Sequence, residues 1–205
     1  MRFLMRSLAT AIVSANTLFV PNAIAVQLQD GTVYFDRPPS LEYAAPTIDT
    51  ARSWGSTHYF TLRVSPEAGE PLQRVEIQQR QGLDDDVRYD LEDTRSFTGT
   101  RRDRGTEVPL GEVTHDRDTQ TVSVTFAEAI EPGTTVTIGL RPVRNPEYSG
   151  IYLYGVTVFP AGEKTHGQYI GVGRFHIRRS RSRFAPIRLE KFGGKKIYTP
   201  NFSQN

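Results

Sequence analysis

Four segments of this chain alternate apolar and polar residues with a period of two, and this alternation constrains the fold more than any other feature. The segments are residues 58–64, 72–79, 121–126 and 135–140. Successive side chains of a β-strand point to opposite faces, so each segment predicts a strand with one buried face. The apolar positions are rich in β-branched and aromatic residues, which favour such half-buried strands.

Weaker strand patterns occupy residues 32–35, 87–91, 151–159 and 168–177. In the last of these, Ile170 and Val172 have one parity, whereas Phe175 and Ile177 have the other. Gly173 lies between the two pairs, so the pattern predicts a β-bulge there.

Turn residues separate these segments, and helical patterns are nearly missing from the sequence. Pro132-Gly133 suits the two central positions of a type II turn. The short segment 127–131 is the only hint of a helix.

About eight short strands, each with one apolar face, must pack face to face or close on themselves. We therefore predict an all-β fold, an antiparallel β-sandwich of immunoglobulin-like type, with a β-barrel as the alternative. The immunoglobulin disulfide and its core tryptophan cannot be assigned, because the chain has no cysteine and its one tryptophan is Trp54.

The first 25 residues have the three parts of a cleavable secretory signal. Arg2 and Arg6 precede a mostly apolar stretch, residues 8–20, and the small-x-small sequence 23–25 follows it. The stretch is too short and too polar for a membrane span, which needs roughly 20 apolar residues. We expect an exported protein of the periplasm, the cell envelope or the extracellular space, with no transmembrane segment after cleavage.

Charge divides the remaining chain into an acidic body and a basic end. Residues 26–173 contain 14 Lys and Arg against 22 Asp and Glu, whereas residues 174–205 contain 9 against 1. We predict a β-sandwich domain over residues 26–178 and a basic, flexible tail over residues 179–205.

Several segments together resemble a known family. They are GTVYFDRPPSL (31–41), SPEAGEPLQRVEI (65–77), FTGTRR (97–102) and the long segment 136–171. These segments resemble domain of unknown function 2808, a mainly cyanobacterial family whose members begin with signal peptides. The resemblance covers residues 26–178 and implies export, a cyanobacterial type of envelope and a β-rich fold. It implies no activity and no functional residues.

Composition argues against metal and cofactor chemistry. Without cysteine, and with both methionines inside the signal segment, the exported chain has no soft ligand for copper. The four histidines are widely spaced. Asp84, Asp85 and Asp86 could offer oxygen ligands to calcium, but the spacing of a calcium-binding loop is missing. We predict no cofactor and no metal site.

No catalytic motif is present, so we assign no catalytic residues. The sequence has no G-x-S-x-G, S-x-x-K or H-E-x-x-H pattern. We interpret the chain as a binding or interaction module, and an envelope polysaccharide or peptidoglycan hydrolase is the alternative.

Two groups of residues are candidates for binding. Tyr152 and Tyr154 share one strand face; if the opposite, aliphatic face is the core, they form an exposed platform for a sugar or a peptide. The alternative is that the strand is buried on both faces, which makes them core residues, or that the tyrosines only line an edge of the sheet. Arg179, Arg181 and Arg183 alternate with serines and could contact an anionic envelope polymer or membrane surface. Because export is expected, nucleic acid is not the expected partner of this basic run.

Overall fold

The computed structural model describes residues 26–27, 31–84, 87–180, 189–192 and 195–198. The expected signal segment and most of the expected basic tail lie outside these ranges. The described residues form strands and turns without a helix. They accordingly include no helix with the length and apolarity that a membrane span requires.

Fourteen strands are described. They are β1 (Val26–Gln27), β2 (Val33–Tyr34), β3 (Ser40–Pro46), β4 (His58–Arg63), β5 (Leu72–Gln81), β6 (Tyr89–Gly99), β7 (Arg104–Glu107), β8 (Leu110–Asp116), β9 (Thr121–Ile130), β10 (Thr135–Pro142), β11 (Gly150–Pro160), β12 (Gln168–Ile177), β13 (Leu189–Phe192) and β14 (Lys195–Tyr198).

Ten of these strands form two five-stranded sheets that pack face to face. One sheet has the order β3-β4-β10-β6-β7 and the other β12-β11-β5-β9-β8. Neighbouring strands are antiparallel throughout both sheets. β1 pairs with β2, and β13 with β14, in separate two-stranded sheets.

The strand order is that of an immunoglobulin-like sandwich. β3-β4-β10-β6 corresponds to strands A-B-E-D of an immunoglobulin domain, and β12-β11-β5 corresponds to G-F-C. β7 extends the first sheet, and β9 and β8 extend the second. The sheets are not closed into a barrel, so the predicted fold class is confirmed and the barrel alternative is wrong.

The apolar positions of the four alternating segments form the centre of the core. Each of these side chains is at most 2% exposed: Phe60, Leu62, Val64, Val75, Ile77, Val122, Val124, Phe126, Val136, Ile138 and Leu140. They belong to one continuous cluster that both sheets share. The period-two alternation therefore identified the inner face of β4, β5, β9 and β10 correctly.

The bulge in β12 lies three residues before the predicted position. Gly171 pairs with Val156 and Tyr169 with Thr157, so Ile170 is the extra residue. Gly173 has another role, because an added Cβ would lie 2.6 Å from the Cβ of Ala44 on β3. The glycine allows the two sheets to approach closely along this edge.

The weak prediction of a helix at residues 127–131 is wrong, whereas the predicted type II turn at Pro132-Gly133 is confirmed. β9 continues to Ile130, which pairs with Leu72, so pairing in the sheet overrides the local helical tendency. In the turn that follows, Thr134 N–H donates to Glu131 O over 3.2 Å. Gly133 has a φ of +86°, as the third residue of a type II turn requires.

Candidate functional site: an arginine–tyrosine face

The outer face of the β3-β4-β10-β6-β7 sheet is covered by a hairpin of the same sheet. Because His58 and Phe60 point into the core from β4, Tyr59 and Thr61 point outward. Both are nevertheless buried, with 9% and 1% of the side chain exposed. The β6–β7 hairpin covers them, and we call this surface, built on Tyr59 and the hairpin arginines, the arginine–tyrosine face.

Two threonines fix the hairpin to the sheet. Thr137 Oγ1 donates to the carbonyl oxygen of Gly99 over 2.7 Å. Because the Thr137 hydroxyl uses its one proton in this bond, it can only accept from the Thr61 hydroxyl, which lies 2.8 Å away. Gly99, with a φ of +84°, supplies the left-handed conformation that begins the turn. The start of the turn is therefore held on β10 by the Thr137–Gly99 bond, and the buried Thr61 hydroxyl beneath it is also hydrogen-bonded.

A glycine on the neighbouring strand makes room for the ring of Tyr59. Gly139 on β10 pairs directly with Tyr59. An added Cβ at Gly139 would lie 2.8 Å from Tyr59 Cε1 and 3.1 Å from Thr57 Cγ2. The tyrosine ring therefore lies across the glycine and flat on the sheet.

Two arginines of the hairpin stack on the aromatic rings. Arg104 Nη2 donates to the Tyr59 hydroxyl oxygen over 2.6 Å. The Arg104 guanidinium carbon lies 4.6 Å from the centre of the Phe97 ring, and that of Arg101 lies 5.5 Å from the centre of the Tyr59 ring. Cation–π attraction stabilises this arrangement and holds both guanidinium groups in defined positions.

The hairpin arginines differ from the other arginines of this face in their ion pairs. Arg63 pairs with Glu42, and Arg95 and Arg141 lie 3.7 and 3.3 Å from the carboxylate of Asp93. Arg101, Arg102 and Arg104 form no ion pair with any residue in the described ranges. Their positive charges are therefore available to an external anion.

A groove beside the hairpin has a volume of about 520 Å³. Thr61 lies on its floor, Thr100, Arg101 and Arg102 form one wall, and Glu42 and Tyr43 form the other. The register of β3 shifts between Leu41 and Tyr43. Such a bulge places two consecutive residues on the same face, so Glu42 and Tyr43 both border the groove.

A second depression lies on the other side of Tyr59. It has a volume of about 250 Å³ and is lined by Phe97, Arg95, Arg104 and Arg141, among others. Arg101 lines the first groove and Arg104 the second, and both approach the Tyr59 ring. Guanidinium groups bind carboxylate, phosphate or sulfate through paired hydrogen bonds, so the face can receive a series of anionic groups.

Tyr152 and Tyr154 lie in the core and do not form the exposed platform. They are 0% and 1% exposed, whereas Ile151 on the opposite face of β11 is 40% exposed. The inner face continues through Val156 and Val158, which are also buried. Burial, together with the Asp84 carboxylate, raises the pKa of Tyr152 to about 12. The tyrosines are therefore core residues, but β11 is not buried on both faces, because Ile151 on its outer face is exposed.

The arginines of the predicted basic run are only partly within the described structure. Arg179 is exposed and borders a depression of about 510 Å³ with Leu83 and Tyr148. Arg181 and Arg183 lie outside the described residues. Of the three candidate calcium ligands, Asp84 accepts a hydrogen bond from the Glu147 N–H over 2.7 Å, and Asp85 and Asp86 also lie outside. Among the described residues, no group of three or more acidic or histidine side chains is placed to hold a metal ion.

A buried histidine marks a second polar cluster, inside the core. His58 Nδ1 lies 3.0 Å from the Tyr89 hydroxyl, and Nε2 lies 3.3 Å from Asn145 Oδ1. Burial lowers the pKa of His58 to about 4, although the Asn145 contact opposes this shift. Burial also raises the pKa of Tyr89 and that of Tyr154. His58, Asn145 and Tyr154 are buried and Tyr89 is partly buried, so the cluster belongs to the interior of the domain.

Sequence reasoning did not identify the hairpin arginines as site residues. One local signal was present, since Arg101, Arg102 and Arg104 place three positive charges within four residues of an otherwise acidic body. Their relation to Tyr59 depends on a hairpin that folds back over β4, and no local pattern encodes this contact.

Similar folds occur among bacterial surface proteins. BslA, a bacterial hydrophobin, has a TM-score of 0.42 and 15% identity, and the match covers 71% of this chain and 98% of BslA. The collagen adhesin CNA from S. aureus has a TM-score of 0.38 and 14% identity over 65% of this chain and 48% of the adhesin.

The collagen-binding subdomain of the Enterococcus faecalis surface protein ACE has a TM-score of 0.39 and 7% identity, over 65% of this chain and 94% of the subdomain. At these TM-scores the likenesses carry no information about what this chain binds. No curated protein sequence matches the chain. Residues 32–177 match the family model described as "Protein of unknown function (DUF2808)", and because this span is most of the chain, the chain belongs to that family.

Proposed function

We propose that this chain is an exported binding module that holds an anionic polymer of the cell envelope or its surroundings on the arginine–tyrosine face. The single observation that carries the proposal is the hairpin with Arg101, Arg102 and Arg104. These arginines form no ion pair with the described residues, and two of them stack on aromatic rings. Export is proposed from the signal-like residues 1–25.

The ion pairs of this face explain why the hairpin is the binding element. An anion that binds Arg63 or Arg141 has to compete with Glu42 or Asp93. An anion that binds Arg102 displaces no carboxylate of the described structure. Each new charge-assisted hydrogen bond to Arg102 therefore adds to the binding free energy without the loss of an existing ion pair.

Stacking favours binding for a second reason. A free arginine side chain loses conformational entropy when a ligand immobilises it. Arg101 and Arg104 are already restrained by Tyr59 and Phe97, so they lose less of this entropy on binding.

A polymer fits the face better than a single small anion does. The 520 Å³ groove and the 250 Å³ depression lie on either side of Tyr59, and arginines line both. A chain with a carboxylate, phosphate or sulfate on successive units can occupy both sites at once. Acidic polysaccharides and phosphate-bearing envelope polymers have this chemistry, and they occur where an exported protein resides.

The test compares the exported protein with an Arg101→Gln, Arg102→Gln double variant. Binding is measured by affinity electrophoresis in gels that contain polygalacturonate, dextran sulfate or neutral dextran. We expect the double variant to bind the anionic polymers at least about tenfold more weakly, because it loses two charge-assisted contacts. Neutral dextran should retard neither protein.

A matched control separates the site from net charge. Arg174 is exposed on β12, in the opposite sheet, and forms no ion pair with a described residue. Arg80 is exposed on β5 of the same sheet. The Arg80→Gln, Arg174→Gln variant removes the same number of charges away from the site and should bind as the wild type does. Equal losses in both double variants would show that overall charge governs binding, and would refute the proposed site.

A further inference from the structure

Five large apolar side chains are exposed on connections at one end of the sandwich, opposite the end that carries the β6–β7 turn. Their exposed fractions are 36% for Ile48, 68% for Trp54, 71% for Leu83, 45% for Val143 and 54% for Tyr148. They lie on the β3–β4, β5–β6 and β10–β11 connections. We call this surface the apolar end.

Two depressions connect four of these side chains. Trp54 and Val143 border one of about 270 Å³, and Leu83 and Tyr148 border another of about 510 Å³. Neighbouring residues of the same three connections line both depressions. The four side chains that line the depressions therefore form one surface and are not scattered surface residues.

Hydrogen bonds hold the connections in place. Asn145 Nδ2 donates to the carbonyl oxygens of Ile48 and Thr50 over 2.6 and 2.9 Å. The Asn145 N–H donates to Ser53 O over 2.9 Å, and the Arg52 N–H donates to Pro146 O over 3.0 Å. Asn145 itself is 2% exposed. The apolar side chains thus project from connections that are already held in place, so little conformational entropy is lost when they bind a partner.

Arginines surround the apolar end. Arg52 and Arg144 both pair with Glu147, and Arg178 pairs with Asp49. Arg88 and Arg179 also lie at this end and form no ion pair with a described residue.

The chain also leaves the domain at this end. Ser180 borders the larger depression, and residues 181–205 add six Lys and Arg against one Glu. Acidic residues are present too, with Asp84 in the smaller depression and Asp85 and Asp86 following it in sequence. Among the described residues named at this end, five arginines stand against Asp49, Asp84 and Glu147, so these residues are positive in total.

From these observations we infer that the apolar end docks onto a lipid bilayer with anionic headgroups. Trp and Tyr prefer the boundary between headgroups and hydrocarbon. Transfer of the Leu and Val side chains out of water lowers the free energy of the system. Arginines at the margin can reach the headgroup phosphates, and basic residues near an anionic bilayer each add to the attraction. A second copy of this chain is a poorer partner, because a two-fold contact would bring the same arginines together.

Trp54 gives a direct test, since it is the only tryptophan of the chain. The exported protein is mixed with vesicles of phosphatidylglycerol and phosphatidylcholine, and with vesicles of phosphatidylcholine alone. With the anionic vesicles we expect the tryptophan emission to shift to shorter wavelength and brominated lipid chains to quench it. Leu83→Ser and Val143→Ser keep the reporter and should each lower the partition coefficient by about tenfold.

The control variants remove apolar side chains elsewhere. Ile151 and Val172 are 40% and 44% exposed on the outer face of the other sheet, and Ile151→Ser and Val172→Ser should leave partitioning unchanged. The Arg101→Gln, Arg102→Gln variant should also bind vesicles normally, so failure of the polymer site and failure of the lipid site are distinguishable.

Three results would overturn the inference. One is an unchanged Trp54 emission with anionic vesicles. Another is vesicle binding that Leu83→Ser does not weaken, which would mean that the basic segment binds by charge alone. The third is a concentration-dependent dimer in analytical ultracentrifugation that Leu83→Ser abolishes, which would make a second copy the occupant.

Discussion

His58 Nε2 lies 3.3 Å from Asn145 Oδ1, and this contact determines the positions of the protons in the buried polar cluster. Asn145 Nδ2 donates to two backbone carbonyls, so Oδ1 is the amide oxygen and can only accept. Nε2 therefore carries the proton, and Nδ1 accepts from the Tyr89 hydroxyl. A neutral imidazole satisfies all these contacts, and a protonated one would have a donor facing Tyr89.

The first prediction is that acid destabilises the domain through His58. Its pKa is about 4 in the fold and 6.5 when exposed, so between these values the unfolded chain binds more protons. The contribution of the neutral His58 to the free energy of unfolding is fully present above about pH 6.5 and decreases as the pH falls toward 4. The total loss is about 3 kcal/mol. Urea denaturation of the wild type and of His58→Gln across this pH range gives the free energy of unfolding, and we expect this free energy to decrease less in the variant.

His176→Gln is the control for this measurement. His176 is exposed on β12, and the variant should keep the acid response of the wild type. If His58→Gln and the wild type lose stability in parallel between pH 6.5 and 4, carboxylates alone cause the acid response and the prediction is wrong.

The second prediction concerns the glycine beneath Tyr59. Gly139→Ala should destabilise the domain by about 1–3 kcal/mol, because the new methyl group displaces the ring that Arg104 holds. Binding of anionic polymer should weaken as well. Gly111→Ala is the matched control, since its nearest neighbour would be 3.5 Å away, an ordinary contact. Equal thermal midpoints for the two variants would show that the Tyr59 ring is free to move.

The third prediction follows from the burial of the β11 tyrosines. Tyr154 contacts Phe60 and Phe175, with ring centres 5.9 and 4.7 Å away. Tyr154→Ser should therefore cost about 3–5 kcal/mol of folding free energy, as the loss of a large core side chain does. Tyr169→Ser, at a position that is 51% exposed, should cost less than about 1 kcal/mol. Denaturant midpoints measure both, and a Tyr154→Ser variant as stable as Tyr169→Ser would place Tyr154 at the surface.

The strands that sequence reasoning identified are those whose two faces differ in environment. β4, β5, β9 and β10 each have one face on the core and the other toward water or a polar neighbour, so hydrophobicity alternates along them. β3, β7 and β8 were not predicted. All three lie near the edges of the sheets, where both faces include exposed side chains and the alternation is weak.

One alternative for β11 was wrong because it used aliphatic character as the mark of the core. That alternative places Ile151 and Leu153 in the core, but the parity of Tyr152 continues into the buried Val156 and Val158. A longer window would have assigned the inner face correctly. The arginine–tyrosine face could not be predicted in this way, because it depends on contacts between residues about 45 positions apart, such as Arg104 and Tyr59.

The fourth prediction concerns the basic segment and the salt dependence of polymer binding. Exposed charges interact over about 8 Å at physiological ionic strength, so the affinity for polygalacturonate should fall by more than about tenfold between low and high salt. A variant that ends at Ser180 should keep its thermal midpoint, because Arg178 retains its ion pair with Asp49 and its backbone contacts with residues 49–51. The variant lacks Arg181 and Arg183, so its affinity should depend less steeply on salt.

The truncation and the Arg101→Gln, Arg102→Gln change should act independently on polymer binding. If the hairpin and the basic segment contact the polymer at separate places, their losses of binding free energy add, and the combined variant shows the sum. A truncated protein that binds with wild-type affinity and salt dependence would remove the segment, with Arg181 and Arg183, from the binding surface. A combined variant no weaker than either parent would mean that both act through one shared contact. A truncated protein that unfolds would contradict the boundary that the Arg178–Asp49 pair places at the end of the domain.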